Sequence, residues 1–163
     1  MAELTTLEEK LAEVLGLAQA AQDATKKVEG LVDDDEIAGV LRRMREEAEE
    51  TERRGTEVAG ERDGKKTAIL DKAQETKNEA AEMMSTYLGS DSDDLDGFEF
   101  LTMAEAGEVG HWEILGTLNE RAGKSEVSTL VDWALPIQKR HFETVRKTSL
   151  ELAAEEDPNE TSA

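Results

Sequence analysis

Apolar side chains separated alternately by three and four residues run through most of this chain, and that rhythm limits its fold more than any other feature. An α-helix turns once every 3.6 residues, so such spacing lines one helical face with groups that leave water together. Leu4, Leu7, Leu11, Val14, Ala18, Ala21, Thr25 and Val28 form the first stripe. Asp33, Asp34 and Asp35 interrupt it and offer capping side chains and favourable charge to a second helix, whose stripe is Ile37, Leu41, Met44, Ala48, Thr51, Gly55 and Val58. The pattern lapses around Gly60 and Gly64. It resumes more weakly through Ile69, Ala73, Thr76, Ala80, Met83 and Tyr87, which predicts a peripheral helix ending before Gly89.

The tract from Ser90 to Gly97 carries four aspartates and reads as a solvated loop between two halves of the chain. Two better-packed helices follow. Phe98, Leu101, Ala104, Trp112, Leu115 and Leu118 mark the first, Gly123 ends it, and Ser125 is the expected cap of its successor. The last helix runs from about Val127 to Ala153 along Val127, Leu130, Val131, Ala134, Ile137, Val145 and Leu152, with Pro136 expected to bend it. Residues 155–163 are polar and read as a flexible acidic tail. Hairpin, connecting helix, hairpin is the order of an all-α, ferritin-like antiparallel four-helix bundle with an additional connecting helix, here one domain over residues 1–154.

Charge and composition narrow the partners. Nineteen Lys and Arg against 39 Asp and Glu give a net charge of −20, which repels phosphate backbones and anionic lipid surfaces, so neither nucleic acid nor membrane is expected. No segment has the roughly 20 apolar residues of a membrane span, and the first twenty residues lack a basic start and apolar run, so the expected location is cytoplasmic. With no cysteine there is no thiolate to ligate a metal, and any metal site is made of Glu, Asp and His.

The chain has two histidines. On the helical wheel Glu108 and His111 fall near the middle of the stripe formed by Leu101, Ala104, Trp112 and Leu115, and Gln138 and His141 sit between Ala134, Ile137 and Val145. All four are expected to point inward. Counting back from a tight connection near Gly123 and Lys124 sets Glu108 level with His141, and His111 level with Gln138. Polar groups in a dry interior cost on the order of a few kcal/mol unless paired or bound to something. Di-iron bundles meet that need with a Glu on one helix of each hairpin and a Glu-x-x-His motif on the other. Gln138 and His141 reproduce the spacing with an amide in place of the carboxylate, while the second helix offers Glu47 at the edge of its buried face with Thr51 inside it.

Two readings stay open. One is a mononuclear or degraded site for Fe, Mn or Zn at Glu108, His111 and His141, completed by Glu47 and Gln138. The other is a non-catalytic structural or protein-interaction bundle with a buried His/Glu/Gln hydrogen-bond network. A ferroxidase needs about four carboxylates around two metals, more than the first helix supplies.

Short motifs add a resemblance. Glu47-Ala-Glu-Glu-Thr51 on the second helix, Gly64-Lys-Lys-Thr67 at the start of the connecting helix, and His111-Trp-Glu113 followed by Gly116-Thr-Leu118 resemble the YciE/YciF-like group of bacterial ferritin-like, stress-associated proteins across about residues 4–153. The resemblance implies a ferritin-like bundle, a homodimer, and metal-binding positions at Glu50, His111 and Glu113. Where that family has a histidine, this chain has Glu47.

Overall fold

The structure is a computed structural model that describes residues 2–161. It contains five helices, and no strand among the described residues: α1 (Thr6–Glu29), α2 (Asp35–Gly60), α3 (Lys66–Tyr87), α4 (Asp94–Ala122) and α5 (Ser125–Ala154). Each begins for local reasons. Thr5 accepts from the Glu8 amide while the Glu8 carboxylate accepts from the Thr5 amide, a reciprocal pair that satisfies two amide donors at the start of α1. Asp34 accepts from the amides of Glu36 and Ile37 at the start of α2. Gly123, at φ 65°, takes the left-handed conformation that closes α4, two residues before α5 begins.

The tract Ser90–Gly97 departs from its reading as a loop. Asp93 caps α4 and pairs reciprocally with Asp96, so the last residues of the acidic run already form the helix. Aspartates next to a helix start are caps as readily as they are solvated loop residues, and composition alone does not separate the two uses. Ser125 is not the cap of α5: Lys124 holds that position without a side-chain hydrogen bond, and Asn119 secures the turn instead. At the other end α5 stops at Ala154, residues 155–161 are exposed, and 162–163 of the expected tail lie outside the described residues.

α1 packs on α2, α4 on α5, and the two pairs meet through α1 with α4 and α2 with α5. α3 lies chiefly against α1 and touches α4 only slightly. Its approach to α1 is close at Gly16, where a Cβ would come 2.3 Å from the Ala73 carbonyl oxygen. Only Ile69 and Ala73 of α3 are buried, consistent with its weak stripe.

The apolar interior falls into two masses. One, toward the Gly123 turn, gathers Leu11, Val14, Ile69, Trp112, Leu115 and Leu130. The other, toward the Gly30 turn, gathers Val28, Leu41, Phe98, Phe100, Leu101 and Val145. Between them α4 and α5 present Glu105, Glu108, Gln138 and His141, all buried. No helix among the described residues is long and apolar enough to cross a membrane.

Candidate functional site

The polar layer is set by the register of α4. Its buried stripe runs Phe98, Leu101, Glu105, Glu108, Trp112, Leu115 and Asn119, an unbroken three-four alternation that passes straight through two carboxylic acids. On α5 the stripe Val127, Leu130, Val131, Ala134, Gln138, His141 and Val145 passes through an amide and an imidazole. Where the stripes cross, the Gln138 amide nitrogen donates to Glu105 Oε2. His141 Nδ1 lies 4.0 Å from the same oxygen, and His141 Nε2 is 3.1 Å from Glu47 Oε1 on α2. Arg140 donates to the second Glu47 oxygen at the rim of the layer. Glu108, one turn beyond Glu105, has no hydrogen-bond partner among the described residues and lines a cavity between α1, α3 and α4.

The seven residues singled out from the sequence therefore divide. Glu47, Gln138 and His141 come together, with Glu108 one turn away on the same face. His111 does not join them, contrary to the expectation that it faces the interior level with Gln138. Its side chain is 38% exposed, and its Nδ1 sits 3.4 Å from Glu13 Oε2 and 3.4 Å from Lys10 Nζ, both on α1. The cause is a rotation of one residue. Centring the α4 stripe on Ala104 carries His111 inward, but Ala104 is only half-buried and Glu105, 2% exposed, holds the interior position. Glu50 lies outside the layer, on the outer side of α2, where it accepts from Arg53 (2.5 Å) and Arg54 (2.9 Å). Glu113 is exposed in a shallow groove between α4 and α5 with Glu120 and Asp132. Those two positions, implied by family resemblance, therefore stand apart from the interior cluster.

Burial decides the charge states. Desolvation pushes the Glu105 carboxyl up to about 8, with the Gln138 hydrogen bond pulling weakly the other way. Glu108 is held well above the ordinary carboxylate range by burial and by its neighbour Glu105. His141 is lowered by burial, which outweighs the opposing pull of Glu47, and so is neutral at pH 7. Glu47 is itself partly desolvated, but Arg140 and His141 outweigh that and keep it ionised. His111 is lowered by burial and by Lys10, against Glu13. At neutral pH the layer thus holds two protonated acids, a neutral imidazole and one amide, with the single carboxylate at its edge.

A divalent metal binds ionised carboxylates and a free imidazole nitrogen. Here one ring nitrogen is engaged by Glu47 and the other faces Glu105. Among the described residues no group of three or more His, Asp and Glu side chains is arranged to hold a metal ion. The donor set as placed does not fit Fe, Mn or Zn. On α1, Gln19 and Gln22 donate to Glu52 on α2 at 3.4 and 2.5 Å.

Compared with known protein families and with curated proteins, the chain matches none.

Proposed function

We propose that this chain is a ferritin-like antiparallel four-helix bundle of α1, α2, α4 and α5, with α3 as the connecting helix, and that it is a non-catalytic member of that architecture. Its interior is a hydrogen-bonded acid, amide and imidazole layer in place of a metal centre. The observation that carries this reading is the pairing of Gln138 with a protonated Glu105 beside a His141 whose far nitrogen is already held by Glu47. A layer whose buried acids are protonated, and in which Glu105, Gln138 and His141 are hydrogen-bonded within the fold, needs no ion to offset its burial. The resemblance to stress-associated YciE/YciF-like proteins supports the architecture and a homodimeric state, which sedimentation of the purified protein tests.

Elemental analysis after expression in medium containing Fe, Mn and Zn is the direct test. The expected result is far less than one ion per chain and no iron-dependent oxygen uptake. A stoichiometric metal that disappears in His141→Ala would overturn the proposal in favour of a second reading. That reading, one divalent metal in the layer, is favoured by the gathering of Glu47, Glu105, Glu108, Gln138 and His141 from three helices at one level of the fold.

A further inference from the structure

Helix α4 is apolar on two sides. Opposite its buried stripe, Met103 is 39% and Ile114 47% exposed. Both belong to a line with a strict seven-residue period, in which Asp96, Met103 and Gly110 form one set and Gly107, Ile114 and Arg121 the other. A period of seven keeps two helices in contact along their length instead of at a single crossing. α3 touches α4 only slightly and α5 packs against its inner side, so this line is left uncovered.

The glycines supply an independent observation. Glycine weakens the interior of a helix, and α4 carries it at 97, 107, 110 and 116. Packing within the chain accounts for Gly97 and Gly116, where a Cβ would come 2.9 Å from Val28 and 3.2 Å from Val131. At Gly107 and Gly110 a Cβ would meet nothing within 4 Å. Their small size serves no contact inside the chain, but it lets a helix from outside come close.

Charge identifies that helix. Asp96 is exposed at one end of the line and Arg121, the single Lys or Arg of α4, is exposed at the other, with no charged residue on the line between them. Read backwards, the line matches itself. An antiparallel copy centred between Gly107 and Gly110 sets Asp96 opposite Arg121, Met103 opposite Ile114 and Gly107 opposite Gly110, in both halves of the contact alike. In a chain of charge −20, a face without this pattern brings like charges together when two copies meet.

We propose that the outer face of α4 is where a second copy of this chain docks, α4 against α4 and antiparallel across Gly107 and Gly110. The inference rests on the homodimeric state proposed above and assigns its surface.

The test combines sedimentation of the full chain with thiol cross-linking, which is clean in a protein without a cysteine of its own. The expected result is a dimer for the unaltered protein, and a dimer dissociation constant raised about tenfold or more in Ile114→Glu. Helix content by circular dichroism stays the same, because Ile114 already meets solvent. Met103→Cys and Ile114→Cys chains, mixed and oxidised, form a disulfide between the two kinds of chain. Neither forms one with itself, because like positions lie about 16 Å apart along antiparallel axes. A monomeric unaltered protein overturns this surface together with the homodimeric state. A dimer untouched by Ile114→Glu, or cysteine chains that cross-link to themselves as readily as to each other, overturns the surface alone and leaves the dimer on another face. Should Ile114→Glu disturb the fold, the cross-linking pattern, read from two changes at exposed positions, decides the matter.

Discussion

Glu8 and Glu105 are both buried in helices, at 3% and 2% exposure, yet they act on stability with opposite sign. Burial opposes ionisation of Glu8, but its Oε2 accepts from the Thr5 amide, Arg62 lies 3.0 Å from Oε1, and Lys65 is close, so its carboxyl sits below the usual range. A group with a lowered folded pKa contributes stability that is complete above its unfolded value near 4.5 and is lost as pH falls through the folded one. Glu105 has no cation and is raised to about 8, so the folded protein binds more protons than the unfolded chain between about 4.5 and 8, and stability declines as pH climbs through that window. Glu105→Gln should therefore flatten the decline, so that the unfolding free energy from urea titration at pH 8 gains on that at pH 5 by an amount on the order of a few kcal/mol. Glu8→Gln should do the reverse, costing about 1–3 kcal/mol at pH 7 and little at pH 3, because Arg62 loses the carboxylate it bonds.

Glu105 is also where the sequence was hardest to read. A stripe drawn through apolar residues alone takes Ala104 and steps over the acid, whereas the strict continuation from Phe98 and Leu101 to Trp112 and Leu115 lands on Glu105 and Glu108. Continuity of the period, weighed above side-chain polarity, was the signal that could have found it. Asn119 falls on the same continuation and was missed for the same reason.

At the scale of elements, the periodicity was legible wherever small or branched apolar residues held the inward face. The α2 stripe from Leu41 to Val58 is buried as read, Thr51 and Gly55 included. What spacing does not encode is the rotation of one helix against another, and so the partner of each inward group. The α4–α5 turn shows this. Asn119 Nδ2 donates to the Lys124 carbonyl (2.9 Å) and to Ser128 Oγ (2.8 Å), and its Oδ1 accepts from the Lys124 amide (3.1 Å). One side chain thus ties the end of α4 to the start of α5 where no serine cap operates. Asn119→Leu should cost about 1–3 kcal/mol by leaving these groups unpaired, seen as a lower thermal midpoint. Gly16→Ala should act through α3: its methyl would overlap the Ala73 carbonyl, so α3 has to move off α1, and amide exchange in 66–80 should accelerate well before that in α4 or α5.

For the whole molecule, a charge of −20 on 163 residues makes self-repulsion a general tax on the compact state. Added NaCl screens it, and the melting temperature should rise by several degrees between low and molar salt. A fall with salt would show that local pairs such as Arg62 with Glu8 outweigh the long-range field.

The polar layer between the two apolar masses has a further consequence for how the protein comes apart. Both tryptophans report on one side of it: Trp112 is buried in the mass toward the Gly123 turn and Trp133 packs against it. The lone tyrosine reports on the other, with the Tyr87 ring 6.1 Å from that of Phe100. Nature has in effect placed a different dye in each half, and a seam of protons between them is a weaker cement than hydrocarbon. Melting followed by indole emission and by tyrosine absorbance should give two midpoints that draw apart above pH 8, where Glu105 becomes ionised, and converge when Glu105 is made an amide.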